Sequence, residues 1–139
     1  MKELYEIKHA ITELCKERCL NPGPFEEFTA RLSDFGVVRQ TYDVIKNELL
    51  FYSKNQHLLT LAISDIDKLS DIYPFSIGDV LNLDAVKKAI MEFDAGIISS
   101  ATEFHKELAL AGIVYVSVHL VPRKIYYLSQ DAQYYLESY

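Results

Sequence analysis

The chain has 139 residues, half of them hydrophobic and 24% charged. That is enough apolar material for one domain with a real core, and it is not the composition of a disordered segment. A formal charge of −6 argues against duplex DNA or an anionic membrane surface as a partner, and no apolar stretch reaches the ~18 residues of a membrane span.

The N-terminal stretch MKELYEIKHAITELCKER is charged and amphipathic. It lacks the apolar segment and small-residue cleavage site of a secretory signal, so the reading places the protein in the cytoplasm. Ile7, Ile11 and Leu14 form the i, i+4, i+7 stripe of a first helix. Cys15 and Cys19 lie four apart on it, a spacing poorly suited to a disulfide. They could be half of a metal site, but two more ligands would be needed and His9 falls on another face. Free thiols, with no metal and no cofactor, are the expectation.

Pro24 suits an early position of a second helix, where its missing N–H costs nothing. Phe25, Phe28, Leu32 and Phe35 give that helix its apolar stripe. Gly36 follows it and is expected at positive φ, closing the helix. A strand comes next, with Val38, Gln40, Tyr42 and Val44 on one face and Arg39, Thr41 and Asp43 on the other. A short turn at KNE leads to a returning strand, LLFYS, and HLLTLAI (57–63) adds a third. The stretch 64–82 reads as a connector with a short helical turn, its acids forming a solvated face and helix caps. Their spacing is not that of an EF-hand.

The second half repeats the first. IKHAITEL (7–14) matches VKKAIMEF (86–93) at an offset of 79. Downstream the offset is 76, pairing Glu27, Phe28, Leu32, Gly36, Val38 and Ser53 with Glu103, Phe104, Leu108, Gly112, Val114 and Ser129. The three extra residues of the first copy fall around ERCLNPG, a loop that tolerates insertion. Ser100 and Glu103 suggest a capping box. Ala101, Phe104, Leu108 and Ala111 form the stripe, Phe104 and Leu108 are expected to be buried, and Gly112 closes the helix. Val114, Val116, Val118 and Leu120 then alternate with Tyr115, Ser117 and His119. IYYLS returns after the turn PRK, and AQYYLES (132–138) is the third strand.

The predicted fold is α+β: one domain over 1–139, built from two tandem helix-helix-strand-strand-strand repeats, about 1–63 and 83–139, with the connector between them. A pseudo-two-fold would relate the repeats. Their strands would form one antiparallel sheet or two, covered by helices.

Phe28, Leu32, Gly36, Val37, Tyr42 and Tyr52 in one half, and Phe104, Leu108, Gly112, Ile113, Tyr115 and Tyr127 in the other, carry a resemblance. Over about residues 7 to 139 the chain resembles a small bacterial family of unknown function labelled "phage envelope protein". The resemblance implies a fold, leaves a phage or mobile-element association open and implies no catalytic residues.

The four His, two Cys and five Gly form no known catalytic, metal or phosphate-loop motif. Asp43 and His119 are equivalent at offset 76 and would approach if the first strands of the two repeats lay near the axis. A carboxylate there would orient the ring and raise its basicity. Arg39, Thr41, Tyr115 and Ser117 share those faces and could line a polar cleft between the repeats. Arg123, with Lys124 at a hairpin tip, could grip an anionic group. The favoured function is a non-catalytic binding or assembly protein, with self-association or a protein partner suggested by the Tyr-rich last strands. The alternative is a small-molecule-binding or enzymatic domain built on the Asp43–His119 cleft.

Overall fold

Apolar stripes at helical spacing need a surface to cover, and the alternating strands supply one. The computed structural model describes residues 3–67 and 73–139. It contains helices α1 (Leu4–Leu20), α2 (Phe25–Asp34), α3 (Ile63–Ile66), α4 (Leu83–Asp94) and α5 (Ala101–Leu110). The strands are β1 (Arg39–Asp43), β2 (Glu48–Tyr52), β3 (His57–Ala62), β4 (Ile113–His119), β5 (Lys124–Ser129) and β6 (Tyr134–Ser138). All six form one antiparallel sheet in the order β3-β2-β1-β4-β5-β6, which settles the choice between one sheet and two. The fold is α+β. Among the described residues no helix is long and apolar enough to cross a membrane.

The two halves meet at β1 and β4. Thr41 is the cross-strand partner of Ser117, and the offset of 76 pairs the same two residues. That is the register a two-fold through the pair requires. Other positions at this offset share their surroundings. Leu32 and Leu108 are both fully buried. Gly36 and Gly112 both have positive φ, 87° and 94°, as do the turn residues Asn47 and Arg123. A left-handed residue in each turn matches the twist of the strands it joins.

Capping follows the sequence closely. Ser100 Oγ accepts from Glu103 N at 3.1 Å, and Asn82 Oδ1 accepts from Ala85 N at 3.1 Å to open α4. The α2 helix begins at Phe25, with Pro24 one residue before it. The helical turn expected within the connector falls at its start, on 63–66, and residues 68–72 of the connector lie outside the described residues. Asp67 corrects the reading of the connector acids as solvated: it is buried and accepts a hydrogen bond from Thr102 Oγ1.

Helices lie on one face of the sheet. Gln40, Tyr42, Leu49, Val116, Val118 and Tyr127 point toward them. The opposite face carries Arg39, Thr41, Asp43, Tyr115, Ser117 and His119, with Leu50, Tyr126 and Leu128 as cross-strand neighbours. Phe104 is half-buried rather than fully buried. Its ring stacks on Phe93, with centroids 4.5 Å apart, at a place where the layers do not close.

Candidate functional site

The register decides the fate of the expected Asp43–His119 pair. His119 stands opposite Arg39, and Asp43 stands opposite Tyr115. Four residues of extended chain separate position 39 from position 43, roughly 13 Å, so the two groups occupy opposite ends of the seam and do not meet. Asp43 Oδ1 instead accepts from the N–H groups of Ile45 and Lys46 at 3.1 and 3.0 Å, fastening the β1–β2 turn. His119 Nε2 lies 2.9 Å from Ser117 Oγ. Burial, and then the neighbouring Arg39, lower the pKa of its imidazole, opposite to the expected effect of a carboxylate.

Thr41 and Ser117 are buried in the middle of the sheet, and Tyr115 beside them is half-buried. Arg123 is not a free anion grip. Its Nε donates to Tyr139 O at 3.0 Å and its Nη2 lies 3.2 Å from Glu26 Oε1, tying the last strand to α2.

A large concavity lies elsewhere, on the helix side. A cavity of about 910 Å³ separates the helices from the sheet. Its walls include Phe28, Ile90, Phe93, Phe104, Leu108 and Val118, so they are mainly apolar. A few polar groups converge on them. Arg18 reaches in from α1, its guanidinium 4.6 Å from the centroid of the Phe28 ring and its Nη1 donating to Pro22 O at 2.5 Å. The His105 ring stacks on Tyr42 at 3.9 Å between centroids, and its Nδ1 has no hydrogen-bond partner among the described residues. Gln40 is 9% exposed, and its Oε1 is likewise unpartnered. Glu137 Oε1 accepts from Tyr127 OH at 3.0 Å, and burial holds the Glu137 carboxyl above its ordinary pKa.

Cys15 and Cys19 are free thiols on the same wall. Burial pushes them up to about 12 and about 11. Among the described residues no three His, Cys, Asp or Glu cluster closely enough to share a metal ion.

Burial, and then Arg18, press the pKa of His105 down to about 3 from the ordinary 6.5. The unfolded chain takes up a proton there as pH falls through 6.5, whereas the folded chain resists it until about 3. Stability is therefore complete above the ordinary pKa and is lost as pH falls through this window, by at most about 1.4 kcal/mol per pH unit. His105→Phe, which keeps an aromatic ring on Tyr42, is expected to flatten the fall in urea-unfolding free energy between about pH 6.5 and 4.5. A slope equal to that of the unsubstituted protein would show that His105 is not buried as a neutral ring.

One signal of this cavity was present in the sequence: Gln40 stands on a strand face otherwise made of Val38, Tyr42 and Val44. No protein-family model matches the chain, and no curated protein matches it.

Proposed function

We propose that the protein binds a small, largely apolar molecule in the cavity between the helices and the sheet, and that the molecule carries at least one hydrogen-bonding group. The observation that carries this reading is the unpartnered Gln40 Oε1 on the wall of an apolar cavity. A buried polar atom left without a partner costs about 1–3 kcal/mol, so its place on a binding wall calls for a ligand group to satisfy it. His105 Nδ1 offers a second such atom, and Arg18 offers a cation at the rim.

Binding without turnover suits the chemistry of the wall. A general base works best with a pKa near the operating pH, and nucleophilic sulfur must be thiolate. His105 at about 3 and the thiols at about 11 and 12 are far from that condition. The reading keeps the non-catalytic role expected from the sequence and moves the site from the inter-repeat seam to the helix side.

The test uses 1-anilinonaphthalene-8-sulfonate, an apolar probe with one anionic group. Folded protein is expected to bind it near one-to-one, with blue-shifted emission. Val118→Phe pushes a ring into the cavity from the sheet and is expected to weaken the probe at least tenfold. The reading is lost if probe affinity is unchanged in a Val118→Phe protein that still unfolds cooperatively. Should that variant fail to fold, Ile90→Phe fills the same space from α4 and gives the same comparison.

A further inference from the structure

On the helix-free face, one cross-strand row reads His57, Tyr52, Arg39, His119, Lys124 and Ser138, from β3 to β6. Directly opposed side chains in such a row stand about 5 Å apart, and like charges placed opposite one another destabilise a sheet. Arg39 and Lys124 nevertheless flank His119 in this row, and Arg39 is one cause of the lowered pKa of its ring. No carboxylate belongs to the row, although Asp and Glu outnumber Lys and Arg 20 to 14 in the chain.

The row borders a cleft of about 510 Å³ lined by Arg39, His119, His57, Lys54 and Asn55, with no Asp or Glu on its wall. The Arg39 guanidinium lies over the Tyr52 ring, 4.3 Å from its centroid, and has no ion-pair or hydrogen-bond partner among the described residues. Stacking on one plane leaves the edge of the guanidinium, with its fork of N–H donors, for a ligand. The rings of His119 and His57 are held through Nε2 by Ser117 Oγ at 2.9 Å and Thr60 Oγ1 at 2.7 Å.

We propose that this cleft binds a phosphate group, free or as a monoester, with Arg39 as its principal ligand and Lys54, His57 and His119 around it. Three physical features converge on that chemistry. The sheet register sets Arg39 and Lys124 on either side of His119, an anion offsets the positive charge that Arg39 and Lys54 bring to the cleft, and the guanidinium fork fits two oxygens of a tetrahedral oxyanion. The site is on the opposite face from the apolar cavity and does not depend on it.

The test titrates the protein with inorganic phosphate against sodium chloride at matched ionic strength, following the imidazole signals of all four His by NMR. Phosphate is expected to shift His119 and His57 saturably while His9 and His105 stay in place, and chloride is expected to do neither. Arg39→Gln should weaken phosphate at least tenfold with an unchanged thermal midpoint, since the Arg39 side chain is exposed. Phenyl phosphate in a parallel titration separates the two sources: tighter binding than inorganic phosphate assigns an organic monoester, and equal or weaker binding assigns the free ion. The proposal is overturned if phosphate acts no differently from chloride, or if Arg39→Gln binds it as well as the unsubstituted protein.

Discussion

Gly112→Ala is expected to destabilise the protein by roughly 3–5 kcal/mol, while Gly36→Ala at the corresponding turn costs only about 1 kcal/mol. Both glycines have positive φ, so both substitutions carry the strain of a Cβ in the left-handed region. The difference lies in what the Cβ meets. At Gly36 nothing stands within 4 Å. At Gly112 the added carbon would collide with the Val80 carbonyl, with Val80 C only 2.9 Å away. The collision is with backbone, which cannot step aside as a flexible side chain would. The connector is also pinned there, by Gly78 N donating to Ala109 O and Asn82 N to Ala111 O, each at 2.9 Å. Denaturant midpoints of the two variants, measured side by side, check the claim. Equal losses would mean that the connector does not pass over Gly112 as described.

Leu108→Ala is expected to cost about 2–5 kcal/mol, the range for truncating a buried leucine. Leu108 is fully buried on α5, between the helix layer and the sheet, and it also lines the apolar cavity. The methyl groups removed would join a space that is already there, so neighbouring side chains have little reason to collapse inward. The cost is therefore placed in the upper half of the range. Leu32 is equally buried on α2 but does not line the cavity. Leu32→Ala thus serves as a comparison in which relaxation is easier. An unfolding midpoint unchanged by Leu108→Ala would contradict the burial of that helix face.

Much of the fold could be read from residue pattern because it depends on local rules. A glycine after an apolar stripe marks a helix end, and Gly36 and Gly112 adopt the expected backbone. Period-two alternation placed Gln40 and Tyr42 on one face and Thr41 and Asp43 on the other, as observed. The Asp43–His119 pairing failed because of the register. The two positions match at an offset of 76 in the sequence, but β1 and β4 run antiparallel with Thr41 facing Ser117. Asp43 lies two positions beyond Thr41 and so faces Tyr115, two positions before Ser117. The antiparallel run of the strands therefore carries Asp43 and His119 away from each other. The cavity was illegible for a different reason. A void is the shortfall of many side-chain volumes summed over several elements, and no single stripe encodes it. Phe104 and Phe28 occupy like stripe positions and both line the cavity, yet Phe28 is buried and Phe104 is only half-buried.

The strand order has a consequence for how the chain closes upon itself. Thr41 and Leu50, joined across the first hairpin, are nine positions apart, whereas Thr41 and Ser117 are separated by 76. Every other pairing in the sheet joins strands consecutive in the chain, so the β1–β4 contact is the sheet's single distant closure. The entropy of closing a loop grows only with the logarithm of its length, and the longer closure costs about 2 kcal/mol more than the hairpin. A six-stranded sheet that would ordinarily demand many distant encounters thus requires one. The residues of that seam, Thr41 and Ser117 at its centre, convert two local strand triplets into one cooperative structure.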